Sequence, residues 1–367
     1  MRFLMLNWRD PMNPASGGAE RVSVAYMRAL AERGHEVWWF ANAFPNCLRE
    51  ETLDGINYVR GGGKGTSILA ARKWYREQPR FDLVIDQHHG LPWYAPWWCD
   101  TNCLAYIHEV LGPVWDSFYP WPISSLGRWQ EGWTHRRYSK VPFWTVSEST
   151  RRDLKSNGVE QITVIPNGTD LVALPELQPK PLSEPVRLIA VSRLAPNKRI
   201  DHVVLALDEL KQRGIKSELS IVGTGEEEGK LRSLVNQLGL HDQVLFTGHL
   251  SETAKNALLQ SAHILLHASV REGWGLNVIE ANAMGTPAVV YPVAGLVDST
   301  VDQVTGLVAR TEQPQALADS IATLLASPAT YDKYRLAAWE RSKTFHWSHV
   351  LKQGCDFLEK QATRLKA

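Results

Sequence analysis

Short apolar runs alternate with longer amphipathic stretches along the whole chain. In the first half, the apolar runs have the length of buried parallel strands. They predict strands at 3–6, 36–41, 57–59, 83–86, 103–107, 143–146 and 162–165. Residues 19–33 carry apolar positions at helical spacing and are followed by Gly34, a common residue at a helix C-terminus. Residues 149–156 predict another helix, and the alternation predicts a parallel α/β sheet.

The same alternation begins again after a proline-rich stretch at 175–185, which predicts a linker between two domains. Strands are predicted at 186–191, 218–222, 244–247, 264–267 and 288–291, and helices at 201–213, 226–238, 252–261, 276–284 and 314–326. A helical tail occupies 329–367. The prediction is therefore a first domain at 1–174 and a second at 186–344, each a Rossmann-like α/β fold.

Composition narrows the classes of protein that fit. The 367 residues are 44% hydrophobic and 22% charged, as in a globular protein of two ordinary domains. The net charge of +1 gives no reason to expect a nucleic-acid partner. The four cysteines form no Cys-x-x-Cys pair, which favours a reducing, cytoplasmic location. The N-terminal apolar run is too short for a signal peptide, and no run is long enough to span a bilayer.

The segment 271–287 carries the most specific pattern, with two carboxylates eight residues apart. Glu272 lies before a predicted helix, and Glu280 lies about one turn inside it. Gly273 and Gly275 allow the backbone to approach a ligand closely, and N–H groups at the start of the helix can hold an anion. Both carboxylates can then face one cleft and contact different parts of one ligand.

Two cations lie at the turn after the first strand of the second domain. Arg193 can bind two oxygens of a diphosphate at once, and Lys198, five residues later, can add a point charge. The chain contains no Asp-x-Asp motif, whose two carboxylates could hold a metal ion on a diphosphate. We therefore expect these cations to balance the charge of a bound diphosphate without a metal. An exposed basic loop is the simpler alternative.

Two glycine-containing turns follow predicted strands. Gly17 and Gly18 lie between the first strand and the first helix, where they would let the loop approach a ligand. Gly223 and Gly225 form a Gly-x-Gly turn, but Glu228 replaces the third glycine of a dinucleotide fingerprint. Each turn also fits an ordinary connection between a strand and a helix.

Histidines end two strands of the first domain. His108 ends one, and a side chain at the carboxyl end of a parallel strand can reach a ligand crevice. His88 and His89 end another and are candidates for contact with a second substrate. The glycine-rich stretch 60–66 lacks the P-loop spacing and is interpreted as a loop. These histidines also lack a metal-ligand spacing, so no metal site is expected.

Three strings resemble motifs of the retaining glycosyltransferase family 4. They are Glu-Gly-Trp-Gly-Leu at 272–276, Ala-Met-Gly-Thr-Pro at 283–287 and Ser-Arg-Leu-x-x-x-Lys-x-x-Asp at 192–201. The resemblance spans nearly the whole chain. It implies the GT-B fold, in which two Rossmann-like domains face each other across the active site. It also implies that a C-terminal tail, about 345–367, crosses back to the first domain.

The resemblance implies that the donor is a nucleoside-diphosphate sugar and that the acceptor is a glycan, a glycolipid or a polysaccharide precursor. Glu272 would hold the donor sugar, Glu280 the ribose, and His108 would act near the donor sugar. The predicted catalytic residues are Arg193, Lys198, Glu272 and His108. The predicted donor-binding residues are Gly17, Gly18, Gly223, Gly225, Gly273, Trp274, Gly275, Leu276 and Glu280.

Two other functions remain open at this point. A sugar-nucleotide epimerase of the same build would need no acceptor, and a binding protein would need no paired cations. The 15 tryptophans, eight of them within 93–144, leave a further alternative. Dense aromatic residues usually form a core, but they can also line an acceptor cleft or contact a membrane surface.

Overall fold

The computed structural model describes residues 1–63, 65–88 and 90–364, and these form two compact units. The first unit contains Met1–Gly112, Leu126–Gly168 and the chain from Trp347 onward. The second contains Pro113–Ser125 and Thr169–His346. Each unit is built around its own mainly parallel sheet.

The first sheet contains eight described strands in the order β3-β4-β2-β1-β5-β6-β7-β8. They are β1 (Arg2–Leu6), β2 (Glu36–Ala41), β3 (Glu50–Leu53), β4 (Ile56–Arg60), β5 (Leu83–His88), β6 (Asn102–Ile107), β7 (Phe143–Thr145) and β8 (Ile162–Val164). All pairs are parallel except β3 with β4. The predicted strands of this half are confirmed, whereas β3 was not predicted because its polar residues lie on an exposed edge.

The second sheet has six described strands, in the order β11-β10-β9-β12-β13-β14, and is parallel throughout. They are β9 (Val186–Val191), β10 (Ser217–Val222), β11 (Val244–Gly248), β12 (Ile264–His267), β13 (Ala288–Val290) and β14 (Gly306–Val308). Buried Leu188, Ile189 and Leu265 lie at the centre of its hydrophobic core. The five strands predicted for this half are confirmed.

Helices cover both sheets. They are α1 (Gly18–Glu32), α2 (Ser67–Arg76), α3 (Val114–Phe118), α4 (Ile123–Arg137), α5 (Glu148–Ser156), α6 (Ile200–Gln212), α7 (Glu228–Gln237), α8 (Glu252–Ser261), α9 (Leu276–Ala283), α10 (Leu296–Ser299), α11 (Pro314–Leu325), α12 (Pro328–Ser342) and α13 (Trp347–Ala362). Helix α13 packs on α1 in the first unit, where Gly354 leaves room for the ring of Tyr26. Arg33 adds ion pairs to Asp356 and Glu359. The return of the tail to the first unit is confirmed.

Each sheet reverses its strand order beside its first strand. In the first unit β1 lies between β2 and β5, and in the second β9 lies between β10 and β12. Ligands of parallel α/β sheets bind at the carboxyl ends of the strands at such a reversal, because the flanking loops diverge there and leave a crevice. Both units therefore offer a position for a binding site.

Helix α4 buries several polar side chains and exposes several apolar ones. Its buried side chains include Glu131, Thr134 and His135, and Glu131 accepts hydrogen bonds from the main chain at Leu111 (2.7 Å) and Gly112 (3.0 Å). Its exposed side chains include the apolar Ile123, Leu126 and Trp129. Because the buried face is polar, the usual apolar periodicity is missing and the sequence did not predict this helix.

Candidate active site

Glu272 lies at the centre of a charged cluster at the carboxyl edge of the second sheet. Lys198 Nζ is 2.5 Å from Glu272 Oε1, and both side chains are mostly buried. The same oxygen accepts a hydrogen bond from Ser269 Oγ at 2.7 Å and lies 3.0 Å from His267 Nε2. The loops after β9 and β12, two neighbouring strands, thus bring the predicted Lys198 and Glu272 together.

The surroundings of Glu272 keep its carboxylate charged. Burial alone would raise its pKa, but the Lys198 ammonium and the hydrogen bond from His267 outweigh burial and hold the pKa of Glu272 well below its usual range. A fixed negative charge at this position can accept hydrogen bonds from sugar hydroxyls, and it also holds the Lys198 ammonium in place.

Two glycines set the backbone around Glu272. Gly275 has φ 87° and precedes α9, and a Cβ there would lie 2.9 Å from Ser299 Oγ. Gly295 has φ 80°, and a Cβ there would collide with the carbonyl of Glu272. Both positions require glycine for conformation as well as for space. Asn277 Nδ2 donates to the carbonyl of Val191 (2.7 Å) and ties the start of α9 to the end of β9.

The remaining predicted residues of this segment lie around the start of α9. Gly273 and Leu276 are half-buried. Trp274 is buried, with its ring edge-on to Phe345 at a centroid distance of 5.2 Å. The indole therefore supports the turn from the core side.

Glu280 on α9 is held by an ion pair with Lys255 on α8. Its Oε2 is 3.0 Å from Lys255 Nζ, and Lys255 also contacts Glu252 at 2.7 Å. Burial opposes the charge of Lys255, but the two carboxylates outweigh it and raise the pKa of Lys255. Lys255 lies on α8 in no recognisable motif, so its pairing with Glu280 could not be predicted from the sequence.

Arg193 lies in the same loop as Lys198 but is exposed, and no other described residue forms a hydrogen bond or an ion pair with its guanidinium. The loop is held by Gly223 and Gly225, where a Cβ would collide with the carbonyls of Ser192 and Leu194. These two glycines therefore serve the close packing of the Arg193 loop. A contact with a ligand is not needed to explain them.

In the first unit, Gly17 and Gly18 are exposed at the start of α1. Gly17 N donates to Glu20 Oε2 at 2.7 Å, so Glu20 caps the helix. His108 follows β6 and is buried beside Tyr106, with 4.7 Å between ring centroids. A side chain added at Gly18 would meet no described atom within 4 Å, so this loop is open to a ligand.

Two further histidines, His88 and His89, were predicted as contacts of a second substrate. His88 is buried, and burial lowers its pKa to about 3. It packs edge-on against Tyr138 and Phe143, so it is a neutral core residue and not an acceptor contact. His89 and Lys64 of the glycine-rich loop lie outside the described residues.

Sequence reasoning missed several residues around Glu272. His267 and Ser269 contact its carboxylate, and Gly295 fits against its backbone. The spacing His-x-Ser-x-x-Glu directly after a strand was a usable signal for the first two. Among the described residues, no group of three or more histidine, cysteine, aspartate or glutamate side chains has the arrangement of a metal site.

Each half of the chain matches a known protein family. The family Glycosyltransferase Family 4 matches residues 16–172, and the family Glycosyl transferases group 1 matches residues 176–341. The chain belongs to the family 4-like glycosyltransferases. This glycosyltransferase has the GT-B fold, and its similarity to known members extends over almost its full length.

Three known proteins illustrate the similarity. The enzyme is 29% identical to glycogen synthase of Mycobacterium tuberculosis, over 95% of this chain and 92% of that protein. Its fold matches sucrose-phosphate synthase from Thermosynechococcus elongatus at a TM-score of 0.79 and 20% identity, over 98% of both chains. It matches Anabaena HepE, solved with UDP and glucose, at a TM-score of 0.74 and 16% identity, over 98% of this chain and 100% of that one.

Proposed function

We propose that this glycosyltransferase moves a sugar from a nucleoside-diphosphate sugar to a glycan or lipid-linked acceptor, with retention of the anomeric configuration. The observation that carries the proposal is the Lys198–Glu272 pair (2.5 Å), with Arg193 exposed in the same loop as Lys198. The relation to glycogen synthase and the UDP and glucose bound to HepE support a nucleotide-sugar donor.

Leaving-group stabilisation is the source of rate acceleration in this proposal. Arg193 and Lys198 neutralise the diphosphate as the bond to the sugar breaks, and the anomeric carbon gains oxocarbenium character. Glu272 orients the donor sugar through its hydroxyls, and Glu280 binds the ribose. The acceptor attacks from the face that the diphosphate leaves, because this proposal assigns Glu272 to the sugar hydroxyls and Glu280 to the ribose and uses neither as a covalent nucleophile. Within the first unit, we assign substrate binding to the Gly17–Gly18 loop and His108.

The two cations also make a metal unnecessary in this proposal, because they supply the positive charge that a divalent ion would otherwise bring. The function is tested by a thermal-shift screen of UDP-, GDP- and ADP-sugars in EDTA, since a ligand that binds only the folded state raises Tm. One donor should raise Tm and then react with an acceptor. Isomerisation of the donor alone would instead indicate an epimerase, and activity restored only by Mg²⁺ or Mn²⁺ would contradict metal independence.

The two glutamates should separate binding from transfer. In Glu280→Gln the ribose loses a charged acceptor, so we expect the Kd of the free nucleoside diphosphate to rise about tenfold. In Glu272→Gln we expect the transfer rate to fall with little change in that Kd. Glu252→Gln is the control, because it removes the other partner of Lys255 and leaves Glu280 in place. Equal nucleotide affinity in wild type and Glu280→Gln, measured by calorimetry, would reject the ribose assignment.

We also propose that the enzyme works at the cytoplasmic surface of a membrane, with α4 as the contact. No helix in the described parts of the chain combines the length and the apolar character needed to cross a bilayer. On α4, however, Leu126 is 63% exposed and Trp129 is 61% exposed, and Trp121 before the helix is 81% exposed. Apolar and tryptophan side chains of this kind favour the bilayer interface. The exposed Arg136 and Arg137 at the end of α4 suit anionic headgroups.

Co-sedimentation with liposomes tests the membrane contact. Leu126→Ser should reduce partitioning onto anionic vesicles roughly tenfold, because one leucine side chain no longer leaves water. Leu336→Ser on α12 is the matched control, since Leu336 is a leucine of similar exposure (53%) on another helix. Absence of binding to anionic vesicles, or equal losses in both variants, would reject α4 as the membrane contact.

A further inference from the structure

The short helix α10 packs against both ends of turn 272–275, which begins with Glu272 and ends with Gly275. The N–H of Glu272 donates to the carbonyl of Ala294 at 3.1 Å, two residues before α10. A Cβ at Gly295 would collide with the carbonyl of Glu272, so the two backbones are in close contact. At the other end of α10, Ser299 Oγ would lie 2.9 Å from a Cβ at Gly275. The position of α10 therefore determines the position of this turn.

The carboxyl end of α10 is held by Arg341 of α12. Its Nη1 donates to the carbonyl of Ser299 at 2.6 Å, and its Nη2 donates to the carbonyl of Asp298 at 2.8 Å. The last carbonyls of a helix have no partner within the helix, and a guanidinium can bind two of them at once with a favourable charge. Arg341 thereby fixes the end of α10 that lies against Gly275.

Arg341 also supports the same turn from the core side. Its guanidinium lies over the ring of Phe345, 4.9 Å from the ring centroid, where a cation is attracted to the aromatic face. The ring of Phe345 is in turn edge-on to Trp274, the buried residue inside turn 272–275. One side chain therefore reaches the turn by two routes, through α10 and through Phe345.

The Arg341 charge is placed where it is costly to keep. Burial lowers the pKa of the Arg341 guanidinium, although the nearby carboxylate of Asp298 opposes this shift. The two carbonyls of α10 offset the cost, because each gains a charged donor. Without the guanidinium both carbonyls would lose that donor, and α10 would lose its anchor beside turn 272–275.

We propose that Arg341 is a positioning residue for the donor sugar, because it fixes α10 and Trp274 and through them the carboxylate of Glu272. This inference rests on the proposed function, in which Glu272 binds the sugar hydroxyls. Glu280, assigned to the ribose, is fixed from another helix by Lys255. Loss of Arg341 should therefore weaken the binding of the sugar part of the donor and leave the binding of the nucleotide part unchanged.

Arg335, earlier on the same helix, is the matched control. Its Nε donates to the carbonyl of Gly285 at 3.1 Å, its Nη2 donates to the carbonyl of Gln178 at 2.9 Å, and its guanidinium lies 5.8 Å from the ring centroid of Tyr331. Each arginine thus joins α12 to two carbonyls and one ring. Gly285, however, follows the carboxyl end of α9, whereas Glu272 precedes the start of that helix.

Calorimetry on the full-length enzyme tests the proposal with UDP, GDP and ADP and with the glucose conjugate of each. All titrations are made below the Tm of every variant. For the nucleotide that wild type binds, Arg341→Met should raise the Kd of the glucose conjugate about tenfold and change the Kd of the free nucleoside diphosphate by less than about twofold. Arg335→Met should lower Tm as well but leave both Kd values within about twofold of wild type.

Lysine variants repeat the comparison with a smaller change, in case a methionine variant does not fold. Lysine keeps the charge but cannot bind two carbonyls in the same fixed geometry. Arg341→Lys should therefore raise the Kd of the glucose conjugate about threefold, and Arg335→Lys should leave it unchanged.

The outcomes separate this inference from the proposed function. Equal rises in the Kd of the glucose conjugate for the Arg341 and Arg335 variants would show a general loss of structure and overturn the inference. An unchanged Kd, or an equal rise for the free and the conjugated nucleotide, would also overturn it. In each of these cases nucleotide binding by wild type leaves the proposed function standing. Absence of binding of every probe to wild type would count against that function and against this inference with it.

Discussion

Arg193→Ala is expected to lower kcat by roughly 30- to 1,000-fold, the loss of about 2–4 kcal/mol of transition-state stabilisation. The guanidinium is exposed and makes no hydrogen bond or ion pair with another described residue, so its partner is the developing charge of the diphosphate. The variant should therefore keep the Tm of wild type. The prediction therefore combines a large loss of rate with no loss of stability.

The control for Arg193 is Arg152→Ala, which removes an exposed arginine from α5 in the other unit. It should change neither kcat nor Tm. Steady-state kinetics with a saturating donor, together with a melting curve for each variant, check the prediction. Equal kcat values for Arg193→Ala and wild type would remove Arg193 from the site.

Lys198→Ala is expected to lower kcat by a similar factor but also to lower Tm. Its ammonium stabilises the diphosphate and, at 2.5 Å, the mostly buried carboxylate of Glu272. Without it the pKa of Glu272 should rise, since Lys198 is a main cause of the depression. A depressed carboxyl pKa contributes stability above the pKa of the unfolded chain, and this contribution disappears as pH falls through the folded pKa.

The Tm difference between wild type and Lys198→Ala should therefore be largest near neutral pH and become smaller below about pH 4, where the carboxyl group of the unfolded chain is protonated. Lys230→Ala is the control, because Lys230 is 78% exposed and pairs with Glu227 on the surface. A Tm difference that grows in acid would show that Lys198 does not stabilise a charged Glu272.

The parallel sheets could be predicted because strands buried on both faces appear as continuous apolar runs. Strands β12 and β13 are fully buried runs of this kind, and the glycines and charges that follow them mark the loops at their carboxyl ends. Lys198 and Glu272 could be predicted as partners of one site for the same reason: both follow strands that the α/β pattern places in one sheet.

Other features depend on tertiary contacts that no local pattern contains. Helix α4 was missed because it buries Glu131 and His135 and exposes Leu126 and Trp129. The steric need for glycine at position 223, set by the carbonyl of Ser192, likewise has no local signal, and the contact of Gly223 with a donor stays a prediction. The ion pair of Glu280 with Lys255 joins two helices and is likewise invisible along the chain.

The tryptophans occupy both buried and exposed positions. Trp39, Trp93 and Trp144 are fully buried in the first unit, as expected of core residues. Trp121 and Trp129 are exposed. Sequence alone could not separate the two groups, because an indole ring is equally suited to a core and to an interface, and only the packing of neighbouring helices decides.

The anomeric configuration of the first product tests the central claim most directly. The reaction is followed by proton NMR from its first minutes, with the donor identified by thermal shift, a methyl pyranoside acceptor and EDTA present. From an α-linked nucleotide sugar the account predicts an α-glycoside, formed by wild type and lost in Arg193→Ala. A β-glycoside as the first product would contradict the account.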